Sequence, residues 1–208
     1  MSQLAYAVTD VRDDTLDELM KLSDHCDTLV DKAVFRTGSI SLASMVYLHT
    51  LVERFQPTTI IEIGTFIGKS TYTMLDVASV HHLYTCDMHN DCLPTTPRLT
   101  CFPGLTSTQM LAQLVEKGVK ADFFFFDGRL SAVDLSLILR LSTWNTVYAC
   151  DDYHENVPPS QFQYGKGVAN IGLLAPYLKE HTLIDPPETV ADVDGFTTIA
   201  ALIPKELV

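Results

Sequence analysis

Basic side chains are scarce in this sequence: 14 lysines and arginines stand against 26 aspartates and glutamates, giving a net charge of −12. They are dispersed, so the chain lacks the positive patch that contact with nucleic-acid phosphates requires, and no nucleic-acid partner is expected. Long apolar runs are also missing. No stretch approaches the roughly 20 residues needed to span a bilayer, so no membrane partner is expected. The segment from Met1 to Asp10 has neither the basic start nor the apolar run of a secretory leader, which makes a cytoplasmic location the expectation. Cysteine is limited to Cys26, Cys86, Cys92, Cys101 and Cys150, an odd number with no C-x-x-C pair. Neither a disulfide framework nor a zinc cluster has the spacing it needs, and reduced thiols are expected. Repeats, low-complexity tracts and long linkers are absent. What is present is a chain with 47% hydrophobic and 19% charged residues, the balance of a folded globular protein. Its length suits one domain over 1–208, with a helical N-terminal cap over 1–56 and an α/β core over 57–208.

Periodicity supplies the elements. Leu16, Leu19, Met20, Leu29 and Val30 recur at near-helical spacing between Asp13 and Asp31, behind an acidic first turn. Ser41 to Phe55 repeats the pattern, and Pro57 stops it; Thr37-Gly38-Ser39 separates the two helices. From Thr58 the rhythm changes. Strands are predicted over 58–63, 82–86, 99–102, 123–126 and 146–150, with helices from Lys69 to Ala78, through Met110 to Val115, and from Val133 to Leu141. Continuous apolar strands alternating with helices indicate a doubly wound, mostly parallel sheet covered on both faces. A helix over 168–179 then leads to strands over 181–184 and 196–203, read as an antiparallel pair at the sheet edge.

In such sheets ligands bind beyond the carboxyl ends of the strands. The first strand runs into Glu62-Ile63-Gly64-Thr65-Phe66-Ile67-Gly68-Lys69-Ser70. Gly64 and Gly68 let backbone approach a ligand closely, the helix start offers N–H groups to an anion, and Glu62 can meet an ammonium. That set suits a zwitterionic amino-acid group. The second strand ends at Asp87, followed by Met88, a little over twenty residues beyond Gly64, where a carboxylate can accept both hydroxyls of a ribose. The fourth and fifth strands end in Asp127-Gly128 and Asp151-Asp152. If these strands are neighbours, three carboxylates meet at one rim and repel unless a cation neutralises them. Hard oxygen donors at that density point to Mg²⁺ or a similar ion.

The stretch from Glu62 to Met74 (EIGTFIGKSTYTM) resembles the cofactor motif of class I S-adenosylmethionine (SAM) methyltransferases. It is most similar to catechol O-methyltransferase and related cation-dependent small-molecule O-methyltransferases, in order from Thr37-Gly38-Ser39-Ile40 through Asp152. The resemblance implies a Rossmann-like fold and methyl transfer to an oxygen of a small-molecule acceptor, with a homodimer as the expected assembly. It implies that Glu62, Gly64 and Ser70 surround the methionine moiety, with Thr65, Phe66 and Gly68 lining the same pocket. Asp87 and Met88 would lie at the ribose, Ser107 near the adenine, and Asp127, Asp151 and Asp152 at the divalent metal. One departure stands out. The lysine that serves as base in the catechol-type enzymes falls at Leu130, beside Arg129. Either deprotonation relies on the metal alone, or another group such as His154 or Lys166 takes part, or the metal site is degenerate; a non-catalytic binding domain stays open. A P-loop nucleotide hydrolase is the other alternative, since Gly64 to Thr71 resembles a Walker A loop, but three residues separate its glycines where that loop needs four.

Overall fold

A computed structural model describes residues 12–28, 39–88, 96–154, 165–190, 193 and 195–208. Several sequence features, namely Leu29, Val30, Thr37, Gly38, Cys92, Phe162 and Tyr164, lie outside the described residues. Two helices come first, α1 (Asp13–Thr28) and α2 (Leu42–Phe55). Ser41 caps α2 by accepting the Ser44 N–H at 3.1 Å, and Gln56 ends it in a left-handed conformation just before Pro57. The core follows as β1 (Thr59–Ile63), α3 (Lys69–Asp76), β2 (His82–Asp87), β3 (Leu99–Pro103), α4 (Ser107–Glu116), β4 (Ala121–Phe126), α5 (Ala132–Leu141), β5 (Ser142–Cys150), α6 (Lys166–Leu174), β6 (His181–Ile184) and β7 (Ala200–Pro204).

The strands form one seven-stranded sheet in the order β3-β2-β1-β4-β5-β7-β6. β1 pairs in parallel with both β2 and β4, β2 with β3, and β4 with β5; β7 runs antiparallel to β5 and β6. The expected Rossmann-like sheet with an antiparallel C-terminal pair is what forms. Alternation along β4 shows why the central strands are continuously apolar. Phe123 and Phe125 enter the core beneath α2 and α3, while Phe124 and Phe126 enter the opposite core beneath α4, α5 and α6. All four rings are fully buried, each stabilising the sheet by about 1.5–3 kcal/mol.

Three elements differ most from the sequence reading. β5 starts at Ser142 rather than Thr146, because the β4–β5 ladder is irregular between Ala121 and Phe123 and picks up Ser142 beyond the shift. α6 runs from Lys166 to Leu174 rather than 168–179; Pro176 disfavours helical backbone at the residue before it and removes a donor. β7 starts at Ala200, since Phe196 is exposed and the Thr198 carbonyl is taken by the Tyr153 N–H.

From β1 the chain winds outward through β2 and β3, then returns to place β4 and β5 on the other side of β1. The switch point therefore lies between the carboxyl ends of β1 and β4. Among the described residues no helix is long and apolar enough to cross a membrane.

Candidate cofactor site and carboxylate rim

At the switch point the two strand ends interlock. Beyond Ile63 the chain passes through Gly64 (φ 100°), Phe66 (φ 44°) and Gly68 (φ 85°) into α3. The Ile63 carbonyl accepts from the N–H groups of Asp127 at 2.9 Å and Gly128 at 2.8 Å. A Cβ on Gly64 would stand 3.0 Å from the Gly128 nitrogen and 3.1 Å from the Asp127 carbonyl carbon. The turn thus lies flat against the end of β4. Among the described residues no side-chain hydrogen bond caps the N-terminus of α3, and a helix start of this kind can meet an anionic group.

Glu62 is fully buried under this turn. Its carboxylate accepts from the hydroxyls of Ser70 (2.5 Å), Thr71 (2.6 Å) and Thr85 (2.6 Å), and burial raises its pKa against those three bonds. Both oxygens are engaged and neither reaches the surface. In this arrangement Glu62 shapes the turn through Ser70, and direct contact with a ligand ammonium, expected from the sequence, is not open to it. Thr65, also buried, shares a hydrogen bond with Thr85 at 2.5 Å. At the end of β2, Asp87 Oδ2 accepts the Phe66 N–H at 2.8 Å, while its carbonyl accepts from Gly104 at 2.8 Å. Asp87 therefore ties the glycine turn to the start of the segment after β3. Lys69, next after Gly68, is buried with its ammonium on Asp27 at 2.7 Å and Ser23 at 3.0 Å, which fastens α1 over the entry to α3.

Two other expected cofactor residues sit differently. Met88 is 74% exposed at the rim. Ser107 opens α4, but its hydroxyl donates to Asp134 at 3.1 Å, and Thr108 donates to the same carboxylate at 2.6 Å. Asp134 is thereby a buried anchor between α4 and α5 that the sequence reading missed; its position three residues after Ser131, a capping-box spacing, was the available signal.

The second half of the site is the rim formed by β4 and β5. Asp127, Asp151 and Asp152 converge there as expected, and Lys166 from α6 converges with them. The Lys166 ammonium is 2.7 Å from Asp127 Oδ1, 3.0 Å from Asp152 Oδ2 and 2.6 Å from the Asp127 carbonyl oxygen. Asp151 Oδ1 accepts the Thr198 hydroxyl at 2.6 Å. Asp152 holds φ at 55°, a non-glycine in the left-handed region at a strand end, as active-site residues often are. Burial, and then the charge of Asp151, push Asp127 up to about 7 against the pull of Lys166. Burial raises Asp151 as well. For Lys166 burial works against the charge, yet Asp127 and Asp152 outweigh it and hold the pKa above the ordinary lysine range.

The expected magnesium set does not fit this arrangement. Mg²⁺ needs near-octahedral oxygen donors at roughly 2.0–2.1 Å, and the lysine ammonium already stands between two of the three carboxylates. Among the described residues no group of three or more His, Cys, Asp or Glu side chains is placed to hold a metal ion. His154, half-buried, follows two residues after Asp152. Leu130 packs in the core beneath α5 and α6, and its N–H donates to Asn170 at 3.0 Å. Asn170 also donates to the Gly128 carbonyl at 3.0 Å, clamping the loop after Asp127. Neither Asn170 nor Thr198 was singled out from the sequence; a lone amide within the apolar run Val168-Ala169-Asn170-Ile171 was the visible hint. A cleft of about 520 Å³ lined by Arg54, Pro57, Thr58, Asp122 and Asn145 opens at the amino ends of β1 and β4, the end of the sheet away from this chemistry.

A raised carboxyl pKa has a defined consequence for stability. The folded state binds more protons than the unfolded chain between the ordinary value of 3.8 and about 7, so stability falls as pH rises through that window. Asp127 contributes a slope of about 1 kcal/mol per pH unit there. Urea titrations across the window are expected to show Asp127→Asn with a flatter dependence than the native chain. An unchanged slope would mean that Asp127 is not the buried carboxyl responsible.

No protein-family model matches the sequence, and no curated protein matches it. Solved structures do. An O-methyltransferase from Bacillus cereus in complex with S-adenosylhomocysteine (SAH) superposes with a TM-score of 0.60 at 19% identity, over 93% of this chain and 92% of that one. The O-methyltransferase TomG from Streptomyces achromogenes, involved in tomaymycin synthesis and solved with SAM, gives 0.61 at 17% identity over 93% and 91%. An SAH-bound methyltransferase from Podospora anserina gives 0.59 at 14% identity over 94% and 90%. The chain has the Rossmann-like fold of the class I methyltransferases.

Proposed function

We propose that this chain transfers the methyl group of SAM to an oxygen of a small molecule. The observation that carries the reading is the glycine turn at the β1–β4 switch point, fixed from below by Glu62 and from the side by Asp87, with an uncapped α3 at its end. In this reading the amino-acid part of SAM lies against Gly64–Ser70 with its carboxylate toward α3, and Asp87 takes the ribose hydroxyls. The neighbours' bound SAM and SAH support the cofactor, and their names support oxygen as the target.

The sulfonium is already a good leaving group. As the acceptor oxygen attacks, an O–C bond forms, the S–C bond breaks with its electron pair returning to sulfur, and the acceptor's proton must leave. The chain's task is therefore alignment of three atoms and a place for that proton. Asp127 adjoins the glycine turn through the Ile63 carbonyl and exchanges a proton near neutrality, which makes it the rim group suited to receive it. Lys166, held charged, is not the base. The Leu130 departure keeps one second reading in view, a methyltransferase fold that binds the cofactor without turnover.

Calorimetry with SAH and, separately, with ATP and Mg²⁺ tests the cofactor. SAH binding with ATP silent is expected. ATP binding alone would overturn the assignment in favour of a nucleotide hydrolase. Transfer of labelled methyl from SAM to a panel of hydroxylated aromatics then separates an enzyme from a binding domain.

A further inference from the structure

We infer that Lys166 is the resident cation of the β4–β5 rim, standing where its carboxylates would otherwise gather a divalent ion, so that this site is complete without a metal. Ion binding at this rim is independent of the identity of the methyl acceptor.

A lysine ammonium has three N–H donors, and all three find oxygen here: Asp127 Oδ1, the Asp127 carbonyl and Asp152 Oδ2. The position is an unfavourable one for a cation in every other respect. Lys166 is the first residue of α6, where the helix dipole opposes positive charge, and its side chain is only 26% exposed. The carboxylates of Asp127 and Asp152 compensate for both. They have the matching need, since three acids at one rim repel each other and must be neutralised.

The backbone is built to bring the lysine in. A Cβ on Gly167 would stand 2.7 Å from the Tyr153 nitrogen and 2.9 Å from the Asp152 carbonyl carbon, and closer still to the Asp151 carbonyl oxygen. Those atoms are backbone and cannot swing aside, so only glycine lets α6 start directly against the end of β5. Its N–H donates to the Asp152 carbonyl at 3.3 Å. One turn further, Asn170 holds the loop after β4 through the Leu130 N–H and the Gly128 carbonyl. With the helix pinned to both strand ends, Lys166 is a fixed positioning residue that sets the spacing of Asp127 and Asp152.

Manganese binding followed by electron paramagnetic resonance at mildly alkaline pH, where the carboxylates are ionised, tests the inference without any activity assay. The native chain is expected to bind no stoichiometric Mn²⁺, and its melting temperature to be indifferent to EDTA. Lys166→Ala and the shape-conserving Lys166→Gln expose the carboxylates and are expected to bind Mn²⁺ at least roughly tenfold more tightly than the native chain. Adding Asp151→Asn should remove that gain. Stoichiometric Mn²⁺ on the native chain overturns the inference, and this holds even if neither variant folds. A folded Lys166 variant with no gain also overturns it, because the carboxylates would then not surround a cation position.

Discussion

Asp87→Ala is expected to lower affinity for SAH by roughly a hundredfold or more. Two losses combine. The first is the carboxylate that would accept the ribose hydroxyls, charge-assisted bonds worth about 1.5–3 kcal/mol each. The second is the bond from the Phe66 N–H at 2.8 Å, which holds a non-glycine residue at φ 44° in the middle of the cofactor turn. Without it the turn loses its lateral support, and the cost of ordering it moves to the moment of binding. Asp87→Asn separates the two effects. Its amide oxygen can still accept from Phe66, so the turn keeps its shape while the charge and one acceptor for the ribose are gone; an intermediate loss of about tenfold is expected. Calorimetric titration of the three proteins with SAH gives the answer. Unchanged affinity in Asp87→Ala would remove the ribose from this strand end and with it the assignment of the turn to SAM.

The order of elements along the chain was legible from the sequence because it follows from local pattern, whereas the strand order that sets the switch point was not. The TIIEI of β1 and the four phenylalanines of β4 are apolar on both sides, which only a covered parallel strand satisfies. Asp87, Asp127, Asp151 and Asp152 were legible because each falls at a strand end, and strand ends can be counted. What escaped were the contacts that depend on which side chain crosses from a distant element. Lys166 was named only as a candidate base; it follows Asp127 by 39 positions and comes from a helix whose start was placed at Val168, so its ion pairs with the carboxylates had no local signature. The same is true of Thr198 on Asp151, 47 positions apart, and of Asn170 on the loop after β4. Glu62 was found but given the wrong exposure. Period-two alternation puts it on the α3 face of β1; Ser70 was placed with it at the cofactor, but that the hydroxyls of Ser70, Thr71 and Thr85 enclose it had no local signature. Burial of an acid is decided by the partners that arrive, and partners are a tertiary fact.

Gly64→Ala is expected to cost both stability and cofactor affinity, and a second glycine shows how to read it. Gly118 sits at φ 70° with nothing within 4 Å of the place an added methyl group would take, so Gly118→Ala carries the backbone penalty alone, about 1–2 kcal/mol. Gly64, at φ 100°, carries a comparable penalty and adds contact at 3.0 Å and 3.1 Å with the backbone of Gly128 and Asp127. Backbone cannot rotate away, so the turn must lift from β4, at a further cost of about 1–3 kcal/mol. Lifting it also strains the bonds from Asp127 and Gly128 to the Ile63 carbonyl, the pair that sets the two halves of the site in register. At this chain length each kcal/mol moves the melting temperature by about 2–4 °C. Gly118→Ala is then expected to melt roughly 5 °C below the native chain and Gly64→Ala roughly 10 °C below it, as read by calorimetric scans. The two should part more sharply in binding. Gly118 lies after α4, away from the turn, and its variant should retain native affinity for SAH, whereas Gly64→Ala should lose it even at temperatures where it is folded. Equal melting temperatures for the two variants would mean that β1 and β4 do not meet this closely. Native SAH affinity in folded Gly64→Ala would mean that the cofactor does not lie on this turn.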